Sequence, residues 1–160
     1  MRAPGRVFWP LAGALVLADC ATKRAVEETI AVPGVPHQVW DDVLRFTLAY
    51  NRGAAFSTPL GPYQRWLLIA FAAAALGLLV RSYGRAARLG WAAVAGLALV
   101  AGGAAGNLVD RLASDRGVVD FIDVGVAGAR FYVFNVADVG VSVGAVLLAF
   151  AVLRDRARHI

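Results

Sequence analysis

The sequence predicts an all-α membrane protein with four transmembrane helices, and three observations support this fold class. Of the 160 residues, 59% are hydrophobic, whereas soluble domains are usually about 45–50% apolar. Four apolar stretches approach the roughly 20 helical residues that a bilayer core requires. Basic residues are concentrated in the segments that a four-span chain places on one side of the membrane. We therefore expect one membrane-embedded domain, residues 1–160.

The predicted spans lie roughly at residues 7–26, 62–83, 89–108 and 131–153. A short basic connection, residues 81–88, joins the second span to the third. The two longer connections, residues 27–61 and 109–130, fall together on the opposite side of the membrane.

The distribution of arginines predicts the orientation of these spans. The side with both termini carries eight basic residues and one acid, Asp155. Those basic residues are Arg2, Arg6, Arg81, Arg85, Arg88, Arg154, Arg156 and Arg158. Because positively charged segments remain in the cytoplasm, both termini are expected there. No basic patch is interleaved with aromatic residues, so a nucleic-acid partner is not expected.

The connection 27–61 contains the chain's clearest strand signal. Apolar side chains occupy every second position of residues 44–50 (LRFTLAY), a pattern typical of a half-buried strand. Residues 33–36 (PGVP) precede it and predict a turn. Since a strand with open edges cannot lie in lipid, we expect this one at the membrane surface.

Polar residues gather at the extracytoplasmic ends of the spans and in both outer connections. They are Asp19, Asn51, Asn107, Asp110, Arg111, Asp120, Asn135 and Asp138. An acid within a membrane helix is costly and usually marks function. Because the orientation was inferred from the arginines alone, this one-sided gathering independently predicts a functional site.

Carboxylates are the reactive groups that this cluster offers. Two neighbouring aspartates share a proton, so that one can activate water while the other polarises a carbonyl group. Asp120 and Asp138 are the candidate pair, although the residues alone would allow Asp110 or Asp123 in place of Asp120. The chain has one cysteine, and His37 and His159 lie far apart in the sequence. We therefore expect neither a metal site nor a cysteine nucleophile.

Two other classes of function compete with an aspartic peptidase. A proton-coupled transporter also needs intramembrane acids, but the acids here gather at one face and no internal repeat is evident. A structural membrane subunit would leave Asp120 and Asp138 without a role.

Five motifs in order resemble those of the bacterial lipoprotein signal peptidases, the type II signal peptidases. They are residues 19–23 (DCATK), 51–57 (NRGAAFS), 106–111 (GNLVDR), 118–121 (VVDF) and 134–138 (FNVAD). The resemblance implies an aspartic endopeptidase of the bacterial cytoplasmic (inner) membrane with a small extracytoplasmic β-sheet cradle. It implies cleavage of diacylglyceryl-modified prolipoproteins just before the lipidated cysteine, without a cofactor.

The resemblance also implies roles for individual residues. Asp120 and Asp138 match the catalytic aspartates, and the other matched positions line the substrate site: Asp19, Asn51, Gly53, Asn107, Arg111 and Asn135. Cys20 departs from the pattern, since the family commonly has glutamine there. The expected partners are the signal peptides of lipid-modified prolipoproteins and membrane lipid, and the expected state is a monomer.

Overall fold

The fold is described from a computed structural model, which describes residues 5–53, 61–126 and 128–158. In chain order the elements are α1 (Gly5–Thr29), β1 (His37–Trp40), β2 (Leu44–Asn51), α2 (Gln64–Arg81), α3 (Tyr83–Leu89), α4 (Trp91–Ala113), β3 (Val118–Val126), β4 (Ala129–Arg130) and α5 (Val136–Ala157).

Helix α4 lies at the centre of the helical part and packs against α1, α2, α3 and α5. Glycines permit this close packing. A Cβ atom at Gly102 would lie 2.8 Å from the Ala12 carbonyl oxygen of α1, and one at Gly96 would lie 2.7 Å from the Gly144 carbonyl oxygen of α5. Only a residue without a Cβ atom admits such an approach, so these glycines allow the helices to pack closely.

Among the described residues, three helices are long and apolar enough to cross a membrane: α2, α4 and α5. None of the described residues of α2 is buried within the protein. Such exposure is expected of a helix that faces lipid. Helix α1 is 25 residues long, but it is not one of these three helices, because its C-terminal half carries charged residues from Asp19 onward. The fourth span accordingly stays a prediction.

The strands form one antiparallel sheet in the order β1-β2-β3-β4. Strand β2 confirms the strand predicted at residues 44–50, and its pairing places Ala49 opposite Asp120 and Asn51 opposite Val118. The turn before it is also confirmed, with Gly34 at a φ of 81°. Strand β3 was not predicted, because its two acids interrupt the alternation of apolar residues.

The helices differ from the sequence prediction at several points. Residues 81–88, expected to be a loop, include most of α3, a single short helix. Helix α4 continues past residue 108 to Ala113, which keeps Asn107 and Asp110 helical. Helix α5 begins at Val136 and not at residue 131, because Phe134 pairs with Ile122 of the sheet and Asn135 caps the helix.

The two ends of α5 have opposite character. Asp138 lies in its first turn, whereas Arg154 and Arg156 lie in its last turn. The start of α4 meets this basic end, since Gly90 and Arg154 line one cavity. Asp138 and these two arginines thus lie at opposite ends of α5.

Candidate active site

The first turn of α5 is built by a reciprocal pair of side-chain hydrogen bonds. Asn135 Oδ1 accepts from the Asp138 backbone N–H at 3.0 Å, and Asp138 Oδ2 accepts from the Asn135 backbone N–H at 3.3 Å. This capping box satisfies N–H groups that a helix start leaves without partners. It also fixes the Asp138 carboxylate at the end of α5 that meets the sheet.

Asn135 connects this helix start to Asp120 of β3. Its side chain is fully buried, and its Nδ2 donates to Asp120 Oδ1 at 2.7 Å and to the Val119 carbonyl oxygen at 3.2 Å. The same nitrogen donates to Asn107 Oδ1 at 3.1 Å. The Asn135 side-chain amide therefore donates hydrogen bonds to both Asp120 and Asn107.

Asn107 completes the connection to the second aspartate. It lies in the outer half of α4, and its Nδ2 donates to Asp138 Oδ1 at 2.9 Å. Asp120 and Asp138 are thus joined through two neutral amides, Asn135 and Asn107. The structure brings together the two aspartates that the sequence singled out, together with both asparagines.

Asp120 is 4% exposed, and its environment changes its affinity for protons. Burial raises the pKa of this carboxyl to about 6, and the charge of Asp138 adds to the increase, while hydrogen bonds from Asn51 and Asn135 and the charge of Lys23 oppose it. A carboxyl group in such a site holds a proton more readily than an ordinary aspartate does.

Asn51 and Gly53 lie where β2 ends beside Asp120. The Gly53 N–H donates to Asn51 Oδ1 at 2.8 Å, and Gly53 has a φ of 88°, a conformation that favours glycine. The remainder of this motif, residues 54–57, lies outside the described residues. Asn51 lines a cavity of about 200 Å³ together with Arg111, Arg65 and Gly117.

Arg111 points from the last turn of α4 toward this cavity. Its Nη1 donates to the Asn107 carbonyl oxygen at 3.0 Å, and no ion pair of Arg111 occurs among the described residues. Its neighbour Asp110 pairs with Lys23 instead. Arg111 and Asp110, although adjacent in the sequence, therefore form no ion pair with each other.

Asp19 is fully buried beneath the aspartates. Its Oδ1 accepts from the Ala137 N–H of α5 at 2.9 Å, and its Oδ2 lies 2.7 Å from Lys23 Nζ. Gly106 leaves room for this carboxylate, since a Cβ there would approach Asp19 Oδ2 to 2.6 Å. The contacts of Asp19 are therefore with the protein's own α5 start, and its contact with substrate stays a prediction.

Sequence reasoning did not single out Lys23, although it is 2% exposed and contacts three members of the cluster. A signal was present, because Lys23 follows Asp19 by four residues, the spacing of an ion pair on a helix.

The alternative acids are occupied elsewhere. Asp123 accepts from Arg130 Nη2 at 2.7 Å and from Thr47 Oγ1 at 3.0 Å. Asp110 pairs with Lys23 at 2.8 Å and accepts from the Val119 N–H at 3.0 Å. Both are satisfied by a cation, which leaves Asp120 as the acid surrounded by neutral amides.

An apolar groove adjoins Asp138 on its other side. It encloses about 270 Å³, and its lining includes Phe131, Phe134, Val139 and Val143. Within residues 5–53, 61–126 and 128–158, no group of three or more His, Cys, Asp or Glu side chains is arranged to hold a metal ion.

The apolar helices and the buried carboxylate–amide cluster define a class, that of helical membrane proteins with an enzyme-like polar site at the helix ends. Comparison with known proteins identifies the family. Residues 11–154 match the family model described as signal peptidase (SPase) II, and the chain belongs to this family of membrane peptidases.

Individual relatives agree with this assignment. A lipoprotein signal peptidase of Paraburkholderia phytofirmans is 40% identical and covers 88% of this chain and 80% of its own. One of Pseudomonas fluorescens is 38% identical, with 95% and 91% covered. A solved bacterial membrane enzyme superposes with a TM-score of 0.76 at 29% identity, and 91% of each chain is covered.

Proposed function

We propose that this protein is an aspartic endopeptidase that removes the signal peptide from diacylglyceryl-modified prolipoproteins. Cleavage occurs just before the lipidated cysteine, by water that Asp120 and Asp138 activate. Membership of the signal peptidase II family supports the reaction class, and relatives named lipoprotein signal peptidase support the substrate class.

One observation carries the assignment of the pair: Asn135 and Asn107 bridge Asp120 and Asp138, and within the described residues neither aspartate forms an ion pair. Neutral amides orient carboxylates and leave their charge uncompensated, which two acids that share a proton require. A purely structural pair of acids would be expected to have a lysine or arginine as partner, as Asp123 and Asp110 do.

The environments of the two acids suggest how they divide the proton. Asp120 is buried, whereas Asp138 is half-buried, and burial raises the pKa of Asp120, so we assign the shared proton of the pair to Asp120. Asp138 lies at the N-terminal end of α5 and accepts two N–H donors, an arrangement that stabilises negative charge. Asp138 is therefore assigned as the general base.

The proposed reaction follows from this division. Asp138 removes a proton from a water molecule as its oxygen attacks the scissile carbonyl carbon, and Asp120 donates its proton to the carbonyl oxygen. Collapse of the tetrahedral intermediate expels the amine of the lipidated cysteine, which takes up the proton that Asp138 received. The carbonyl oxygen returns its proton to Asp120, so the enzyme is restored.

Two openings flank the aspartates and suit the two parts of such a substrate. The groove beside Asp138 is lined by apolar side chains and faces the same side as exposed Val139 and Val143 of α5, which suits an acyl chain in lipid. The cavity that contains Asn51 and Arg111 offers amide and guanidinium donors for peptide carbonyl groups. We further propose that α1 is a fourth span and that the site lies at the extracytoplasmic face.

Cleavage of a purified diacylglyceryl-modified prolipoprotein tests the proposal. We expect wild type to cut it before the modified cysteine, whereas Asp120→Asn and Asp138→Asn do not. An unlipidated version of the substrate is the control and should remain intact. A folded wild type that leaves the lipidated substrate uncut would refute the proposed function, and proton flux in liposomes would then be measured.

A further inference from the structure

Lys23 is a buried cation whose donors are all directed at the active-site cluster. Its Nζ lies 2.7 Å from Asp19 Oδ2, 2.8 Å from Asp110 Oδ2 and 2.9 Å from Asn107 Oδ1. An ammonium group can only donate, and here it donates a hydrogen bond to Asn107 Oδ1 and forms ion pairs with the two carboxylates. A lysine that is 2% exposed has no contact left for a substrate.

The contact with Asn107 determines which way that amide points. Its Oδ1 accepts from both Lys23 and Asn135, and its Nδ2 is thereby turned to Asp138 Oδ1. The opposite orientation would place the amide N–H groups against two donors and the amide oxygen against a carboxylate. The ammonium group therefore excludes that orientation, because it can only donate.

We propose that Lys23 is a positioning residue that fixes the amide of Asn107 and so keeps a hydrogen-bond donor on Asp138. This role rests on the proposed function of the aspartate pair. Lys23 acts through Asn107 and does not touch the reacting atoms. Its effect should consequently appear in turnover and in its pH dependence, and little in substrate affinity.

The charged groups around Lys23, Asn107 and Asp138 come from four elements. Asp19 of α1 and Asp110 of α4 face the ammonium group, while Asp138 of α5 and Asp120 of β3 lie beyond the two amides. Arg111 of α4 also acts electrostatically on Asp110, Asp120 and Asp138. Removal of Lys23 alone would leave Asp19 and Asp110 buried without their cation, and the protein could then fail to fold.

A charge-balanced variant limits that difficulty to Asp19, the one acid that it leaves without its cation. Lys23→Met combined with Asp110→Asn removes one positive and one negative charge, so the net charge of the cluster is unchanged. Asn at position 110 retains an oxygen for the Val119 N–H. Asp110→Asn alone is the matched control, because it retains Lys23 and its contact with Asn107.

The experiment measures kcat and KM of the full chain on the diacylglyceryl-modified prolipoprotein from about pH 5 to pH 9. Relative to Asp110→Asn, we expect Lys23→Met/Asp110→Asn to lower kcat on the order of 10-fold, a typical coupling between contacting residues, with KM changed less than about 3-fold. The acidic limb of the kcat profile should move to higher pH, since carboxylates that lose a donor and a nearby cation are protonated more easily.

The same two variants are then compared in an Asn107→Ala background. If Lys23 acts through Asn107, its removal should there change kcat less than about 3-fold. The proposal would be overturned if removal of Lys23 lowered kcat equally in the Asn107→Ala background. It would also be overturned if, with Asn107 present, removal of Lys23 changed neither kcat nor the acidic limb of its pH profile. A purely structural role predicts a loss of folded protein with no displacement of the limb.

A readout independent of cleavage separates this inference from the proposed function. Hydrogen exchange at the isotopically labelled side-chain amide of Asn107 in the folded protein should be faster in Lys23→Met/Asp110→Asn than in Asp110→Asn, because Lys23 no longer fixes that amide. An unchanged exchange rate would refute the role of Lys23. Absence of cleavage by wild type would refute the proposed function and leave the exchange rate to decide the role of Lys23.

Discussion

Two aspartates on the same strand, Asp120 and Asp123, have opposite surroundings. Asp123 is held by the Arg130 guanidinium and by Thr47 Oγ1, so its charge is matched and its hydrogen bonds are made. Asp120 is as deeply buried but has neutral amides as partners. Under the proposed function, the fold uses one residue type in two ways. The charge of Asp123 is neutralised by a cation, whereas Asp120 is held by neutral amides and stays able to exchange a proton.

The largest expected effect distinguishes these two acids directly. Asp120→Asn should lower kcat for the lipidated substrate by at least about 1000-fold, because it removes the proton donor of the pair. Asp123→Asn, the matched control on the same strand, should retain kcat within about 3-fold. Both are measured on folded protein in one cleavage assay. Equal losses would contradict the separation of the two roles.

Asn107→Ala removes an amide donor from Asp138 and leaves both carboxylates in place. A hydrogen bond to a charged group contributes about 1.5–3 kcal/mol, so kcat should fall about 10- to 100-fold. The same assay measures it beside Asp138→Asn. Loss as complete as that of Asp138→Asn in a folded protein would show that Asn107 takes part in the reaction itself.

Arg130→Met tests the ion pair of Asp123, the acid to which we assign no catalytic role. It leaves Asp123, which is 7% exposed, without its cation, and should lower the free energy of unfolding by about 2–3 kcal/mol. Unfolding in detergent measures this loss, while kcat of the folded fraction should stay within about 3-fold of wild type. Asp123→Asn/Arg130→Met should recover part of the stability, since it also removes the uncompensated acid. A strong loss of kcat would connect this ion pair to catalysis.

The raised pKa of Asp120 should make the free energy of unfolding depend on pH. Its pKa of about 6 in the fold exceeds the ordinary 3.8, so the folded state binds more protons than the unfolded state between these values. Wild-type stability should therefore fall as pH rises through that window and level off above it. Asp120→Asn lacks this loss.

The expected gain of Asp120→Asn over wild type, between pH 4 and pH 7.5, is on the order of 2 kcal/mol. Thermal unfolding at both pH values measures it, with Asp123→Asn as the control that should show no such gain. A variant whose advantage over wild type is the same at both pH values would contradict the raised pKa of Asp120.

Local sequence patterns foretold much of this site. The strand at residues 44–50 alternates clearly, and the spacing of Asn107 and Asp110 places both on one face of α4, as observed. Asn135 and Asp138 have the same spacing, which by itself would place both on one helical face. In the structure the same spacing is a capping box, because Asn135 stands just outside α5.

Long-range contacts explain what the sequence did not reveal. Strand β3 has no clear alternation because its acids at positions 120 and 123 lie three residues apart, and each is stabilised by partners on other elements. Lys23 has the spacing of an ordinary surface ion pair with Asp19. Its burial depends on α4 bringing Asn107 and Asp110 to it, which no local pattern encodes.

The capping box at the start of α5 has a practical consequence. Since Asp138 Oδ2 accepts from the Asn135 backbone N–H, a ligand that engages this oxygen competes with the first turn of its own helix. Hydrogen exchange at that single amide should accelerate when an inhibitor binds the carboxylate and stay slow when one binds elsewhere. The helix start thus serves as a built-in reporter for screening, independent of any lipidated substrate.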